Sequence, residues 1–131
     1  MLLPYEIIHR SVIPAMRYMI ATRLVEEYNM NQQQAAQILG VTQPAISNYI
    51  RRTRAISINL NNCEEICKSV EEVIELLLEG GPDQPKVIEK IVYMCDYLRK
   101  KRMLCDFHKC LEPLFEINNC HACDGPFIIQ K

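Results

Sequence analysis

Residues 33–50 read Gln33-Gln34-Ala35-Ala36-Gln37-Ile38-Leu39-Gly40-Val41-Thr42-Gln43-Pro44-Ala45-Ile46-Ser47-Asn48-Tyr49-Ile50. Several of these positions have separate physical jobs. Ala36 is small, as it must be where a second helix crosses closely over a first. Gly40 permits the positive φ of a tight turn. Val41 drops between the two helices. Ile46, with Tyr49 or Ile50, anchors the second helix from its inner face. A plain helical hairpin has no need of a small residue, a glycine and two apolar anchors in this register, whereas a helix-turn-helix does. Asn31 is placed to cap the first helix, which runs to Leu39 and stops at Gly40. Thr42 is placed to cap the second, through about Arg52. Pro44 is tolerated in its first turn, where backbone N–H groups lack intrahelical partners.

The outer face of the second helix presents Gln43, Ala45, Ser47, Asn48 and Arg51. Gln and Asn bond adenine bidentately in the major groove, and Ala can touch the thymine methyl. Arg51, Arg52 and Arg54 are placed to meet phosphates at the end of the helix. The candidate set for double-stranded DNA is therefore Thr42, Gln43, Pro44, Ala45, Ser47, Asn48, Arg51, Arg52 and Arg54. Charge points the same way. The whole chain of 131 residues has a formal charge of −1, but residues 1–60 carry six Arg against three Glu, a balance of +3. Residues 61–131 carry nine Lys/Arg against thirteen Asp/Glu, a balance of −4. A basic front joined to an acidic back suits a chain that meets nucleic acid with one half.

These residues resemble the lambda-repressor-like (XRE-like) helix-turn-helix family. The likeness extends upstream through Leu3-Pro4, Val12-Ile13-Pro14-Ala15-Met16-Arg17 and Leu24-Val25-Glu26-Glu27-Tyr28, a pattern similar to archaeal regulators of that type. It covers about residues 3–54. It implies a transcription regulator in which Gln43, Ser47 and Asn48 read bases. Some relatives carry a ligand-sensing domain after this unit, but no matching sensory pattern is seen in the remainder of this chain.

Elsewhere the pattern is helical. Residues 4–29 carry Ile13, Met16, Ile20 and Leu24 at helical spacing. Pro14 predicts a break or kink near Ile13, with Ser11 capping the longer second part. Residues 53–60 lack a helical period and read as a linker or short extended piece. Asn62 and Glu65 have capping-box spacing. An apolar stripe follows at Cys63, Ile66, Cys67, Val70, Val73, Ile74 and Leu77. Gly80-Gly81-Pro82 stops that helix, and Asp83 is placed to cap the next. Its apolar face reads Ile88, Ile91, Val92, Cys95 and Leu98. The two helices form an antiparallel hairpin. The expected architecture is all-α: residues 1–60 as a helix-turn-helix domain, 61–104 as a helical hairpin for linking or dimerisation, and 105–131 as a short Cys-rich metal-binding module.

Seven Cys in a chain with 49% hydrophobic and 24% charged residues is the unusual count. The N-terminus lacks a secretory pattern, and no run of about 20 apolar residues is present to span a membrane. A cytoplasmic location is expected, where disulfides are uncommon. Cys63, Cys67 and Cys95 lie on apolar helical faces and read as core residues. Cys105, Cys110, Cys120 and Cys123 have C-x4-C and C-x2-C spacing and read as four metal ligands. Zinc and an iron–sulfur cluster both suit four thiolates in two pairs. Phe107, Phe115 and Phe127 could shield a cluster, which puts iron–sulfur first and zinc as the alternative. His108 and His121 lie between the paired cysteines and read as solvated or outer-shell groups, with either replacing a cysteine as ligand the alternative. Arg99-Lys100-Lys101-Arg102 reads as a solvated, charged helix end, with contact to DNA phosphate or stabilisation of an anionic thiolate cluster as the alternatives. No Gly-rich phosphate loop, carboxylate pair or nucleophile–base set argues for an enzyme. A single short recognition helix buries little surface, so a homodimer on a palindromic site is expected.

Overall fold

The computed structural model describes residues 1–124, apart from the side chains of Ala55 and Ile58. Gly125, Pro126 and Phe127, with the remainder of the Cys-rich segment, lie outside the described residues. Regular structure among the described residues is helical: α1 (Pro4–Ile7), a π-helical turn (Ile8–Val12), α2 (Ile13–Glu26), α3 (Gln32–Leu39), α4 (Gln43–Asn61), α5 (Glu64–Gly80), α6 (Pro85–Lys100), α7 (Leu104–Leu111) and a 3-10 turn (Ile117–Asn119). No helix among them is long and apolar enough to cross a membrane.

Pro14 does not break the first helix. Ile8–Val12 widens into a π turn, in which the Ile13 N–H bonds the Ile8 carbonyl five residues back. A wider turn absorbs the bond that proline cannot make. Ser11 is therefore no cap; it is buried inside a continuous helical run. Residues 53–60 are likewise not a linker, because α4 continues unbroken to Asn61. Thr53 and Ser57 occupy its inner face as buried hydroxyls that bond back to the carbonyls of Tyr49 and Arg54. Two further caps shift by one residue. Asn62 ends α4 while Cys63 opens α5, and Gln84 rather than Asp83 precedes α6.

The α5–α6 pair is antiparallel, since Glu72 meets Lys90 while Glu65 accepts from Tyr93 further along α6. The α5 stripe packs as its spacing predicts, with Ile66, Val70, Val73, Ile74 and Leu77 buried. The α6 face is rotated from expectation. Val87, Met94 and Leu98 are buried, while Ile88 and Val92 are 58% and 60% exposed. The Gln84 side chain closes the hairpin by donating to the carbonyls of Leu76 (2.6 Å) and Gly81 (2.8 Å). These are carbonyls that a helix C-terminus otherwise leaves unbonded.

One buried cluster draws on α1, α2, α3, α4, α5, α6 and α7, from Ile7 and Leu24 through Leu60 and Val73 to Leu98 and Phe107. The Arg23–Glu71 ion pair adds a polar tie between α2 and α5. Ala21, Ala36 and Ile46 form a second, smaller cluster, with Leu39, Val41, Tyr49 and Ile50 around it. The small cluster fixes the helix-turn-helix, and the large one fixes what that unit stands on.

Candidate nucleic-acid interface

The turn between α3 and α4 is built from the residues that the sequence singles out. Asn31 caps α3 by accepting from the Gln34 N–H at 2.8 Å, and the Gln34 side chain accepts from the Asn31 N–H at 3.0 Å. Gly40 has φ 71°, and a Cβ there would come within 3.1 Å of the Pro82 side chain. Two demands thus meet at Gly40: a left-handed backbone, and room for the α5–α6 turn to approach. Thr42 caps α4 by accepting from the Ala45 N–H at 3.2 Å. Ile46 is fully buried beneath this turn.

The expected contact residues divide by exposure. Thr42, Gln43, Pro44, Arg51, Arg52 and Arg54 are exposed, whereas Ala45, Ser47 and Asn48 are half-buried. Among the described residues no ion pair engages Arg51, Arg52 or Arg54. Their charge is available to phosphate. Two further residues belong to this surface. Gln32, at the start of α3, accepts from the Gln43 amide at 2.8 Å and holds that side chain at the mouth of α4. Arg17, exposed on α2, donates to the Tyr49 hydroxyl at 3.2 Å and lies 5.9 Å from its ring centre. Sequence spacing offers no signal for either, because both pairs join different helices.

Residues 22–60 match the family model described as Helix-turn-helix. No match was found among curated proteins or among solved structures. The matched segment runs from α2 through α4 and contains every residue of the expected contact set.

The cysteines separate differently from their spacing. Cys105, Cys120 and Cys123 line one apolar cavity of about 190 Å³, whose wall also includes Leu3, Ile7 and His108. Cys110 is exposed and does not line it. The reason is that residues 104–111 are α7, not a loop. Five residues at 100° each put Cys110 about 140° around the helix from Cys105. Among the described residues no three His, Cys, Asp or Glu groups lie together as they would around one metal ion. His108 is bonded to Glu112 at 2.9 Å and stacks on Phe115, with ring centres 4.1 Å apart. His121 is exposed and bonds Asp124 at 2.6 Å.

The polar frame of this cavity comes from the end of α6 and the turn that follows it. Arg99 is 1% exposed and donates to the Cys123 carbonyl at 3.1 Å. Arg102 donates to the Cys120 carbonyl at 2.8 Å and pairs with Asp124 at 2.7 Å. Arg102 also has φ 59°, a left-handed backbone that a side chain makes unfavourable by roughly 1–2 kcal/mol. It marks the turn from α6 into α7. Burial pushes the Cys123 thiol above its ordinary range, and the neighbouring thiols of Cys105 and Cys120 push the same way. Arg99 and Arg102 oppose that rise.

Cys63, Cys67 and Cys95 pack against the large cluster, as expected of core thiols. Burial pushes Cys95 up to about 11, with the Asp96 charge adding to the rise. At pH 8 only about one Cys95 in a thousand is then thiolate, the reactive form. Timed alkylation followed by mass spectrometry should modify exposed Cys110 early and Cys95 last. Equal rates at the two positions would contradict this packing.

Proposed function

We propose that the chain is a sequence-specific DNA-binding transcriptional regulator that acts as a homodimer. The observation that carries the reading is the N-terminal half of α4. It is capped by Thr42, braced through Gln32 and Gln43, and trailed by three arginines with no ion-pair partner among the described residues. The N-terminal turns of α4 enter the major groove. Gln43, Ser47 and Asn48 read base edges, Ala45 contacts a thymine methyl, and Arg51, Arg52 and Arg54 hold phosphates. Dimerisation doubles the surface that one short helix can bury and matches a two-fold operator. Catalysis has no part in the proposal.

The C-terminal cysteines extend the reading. We propose that they hold an iron–sulfur cluster, whose loss or oxidation loosens the C-terminal segment and changes the spacing of two recognition helices. A structural zinc is the second reading, favoured by the C-x2-C spacing of Cys120 and Cys123. It keeps DNA binding and drops the sensing. Anaerobically purified protein is brown under the first reading and colourless under the second.

The DNA reading is tested on a site selected from random duplexes. Asn48→Ala should weaken that site by about 1–3 kcal/mol and relax preference at one base position. Replacing Arg51, Arg52 or Arg54 by Ala should weaken all sequences alike and lower the salt slope by about one per residue. An Asn48→Ala protein with unchanged base preference would remove α4 from the role of reader.

A further inference from the structure

We infer that the cleft between α2 and α4 is a binding site for a small amphipathic amine, an apolar body the size of a benzene ring that carries one ammonium group.

The first argument is space. α2 and α4 leave between them a cavity of about 130 Å³ beside the recognition helix. Ala21, Thr22 and Val25 of α2 and Ile46 and Ile50 of α4 form its wall. Ala21 and Thr22 are small, and they open a gap that larger side chains would fill. Packed interiors hold few voids larger than a water molecule. An apolar cavity of about 150 Å³ takes up benzene from water, so a six-carbon ring suits this one.

The second argument is the polar chemistry along one side. Tyr18, Thr22 and Glu26 recur at intervals of four on α2, so they form one stripe beside the apolar wall. Among the described residues none of these three side chains has a hydrogen-bond or ion-pair partner. Thr53 and Ser57 behave differently, each bonding a carbonyl of its own helix. Two hydroxyls and a carboxylate are oxygen acceptors, and a primary ammonium has three N–H groups to donate.

The third argument is charge. A helix C-terminus carries partial negative charge and is stabilised by cations. α2 ends the other way, with Glu26 in its last turn and Glu27 at its cap. Arg23, the basic residue of that turn, is committed to Glu71. Among the described residues neither Glu26 nor Glu27 has an ion-pair partner. Helix dipole and carboxylates therefore add at the rim of the cavity. A bound ammonium offsets both, and an anionic ligand is disfavoured on the same ground.

The wall also includes Gln32, which holds the Gln43 side chain, and Ile46 anchors the recognition helix from beneath. An occupant that bridges α2 and α4 favours their docked arrangement, the one that fits a major groove. The site stands without the DNA reading above, and its effect on DNA rests on that reading. The coupling is reciprocal: DNA tightens the amine by the same factor as the amine tightens DNA.

The test is titration of the nitrogen-15-labelled full chain with benzylamine near neutral pH, where an alkylamine is charged. Saturable shifts are expected in the amides of Ala21, Thr22, Val25, Ile46 and Ile50. Methylamine, which has the charge without the ring, should give no saturable shift. Thr22→Leu fills the gap and should weaken benzylamine by more than about tenfold, a loss of about 1.4 kcal/mol. Its helical circular dichroism and DNA affinity should stay at wild-type values. Glu26→Gln, at an exposed position, should weaken benzylamine by roughly two- to fivefold and leave benzyl alcohol unchanged. Saturating benzylamine should slow hydrogen exchange in residues 32–50 and tighten the selected DNA site relative to equal methylamine. Unchanged benzylamine affinity in Thr22→Leu, or shifts centred on residues 104–123, would overturn the site. Benzyl alcohol binding as tightly as benzylamine would overturn the ligand class. DNA affinity indifferent to bound benzylamine would overturn the coupling. A wild-type chain that saturates with benzylamine yet selects no DNA sequence would refute the DNA reading and uphold the site.

Discussion

Ile46→Ala should lower affinity for the selected DNA site by roughly ten- to several-hundredfold while leaving most of the helical content in place. Ile46 is fully buried, with no part of its side chain open to water. Truncating a buried Ile to Ala costs about 2–5 kcal/mol, the sum of lost transfer energy and a residual cavity. The position of this residue makes the loss local. Among the described residues its cluster contains two other buried residues, Ala21 and Ala36, and is separate from the large cluster that joins α2, α5 and α6. A void there undocks α3 and the first turns of α4, and only the docked state fits a major groove. The apparent affinity falls in proportion to the docked fraction. Fluorescence anisotropy reads the affinity, and hydrogen exchange reads the undocking as faster exchange in residues 32–50. Ile46→Val keeps most of the side chain and should cost about 0.5–1.5 kcal/mol. Wild-type affinity and exchange in Ile46→Ala would show that the small cluster does not position the reader.

The helix-turn-helix was legible in the sequence because its few constraints sit within 18 residues, each with a distinct chemical requirement. Gly40 needs φ 71°, Thr42 needs a hydroxyl, and Ile46 needs burial; the residue types declare all three. The second half of α4 was illegible for the opposite reason. Its inner face places Thr53 and Ser57 among the apolar residues, so the apolar period fails where the helix does not. Each hydroxyl bonds a carbonyl of its own helix, which removes the penalty of burying it. On α6 the difficulty was surplus. Ile88 and Val92 offer an apolar face as plausible as Val87, Met94 and Leu98, and only packing against α5 chooses. At α7 eight residues are too few to display a period, although Leu104, Phe107 and His108 are its buried face. That is why Cys105 and Cys110 look like a ligand pair in a string of letters and stand on different sides of a helix. Long-range ties left no local signal at all. The Glu112 carboxylate accepts from the Leu2 N–H at 2.7 Å across 110 residues and joins the start of the chain to α7.

Arg99→Ala should destabilise the protein by about 3–5 kcal/mol and free the segment that carries Cys120 and Cys123. The guanidinium does two jobs from one buried place. Its Nε and one terminal nitrogen donate to the Asp96 carboxylate at 3.2 and 2.6 Å, and the other terminal nitrogen donates to the Cys123 carbonyl. Removing it does not strand Asp96, which is 40% exposed and keeps Lys100 at 3.0 Å. The loss falls on the other side. The Cys123 carbonyl gives up a charged donor, worth about 1.5–3 kcal/mol. The buried stem leaves a void, at about 0.8 kcal/mol for each lost CH₂. A change of this size lowers the melting temperature by on the order of 10 °C in a domain of this length. Arg99→Lys should fall between alanine and wild type, because an ammonium restores the charge but not the fork that reaches both partners. Limited proteolysis separates this local effect from general weakening. Cleavage within residues 117–124 should rise in Arg99→Ala at temperatures where α2 and α5 still resist. Cleavage unchanged in that segment, with a melting temperature within a degree or two of wild type, would mean that Arg99 is not what holds the thiol-bearing loop against α6.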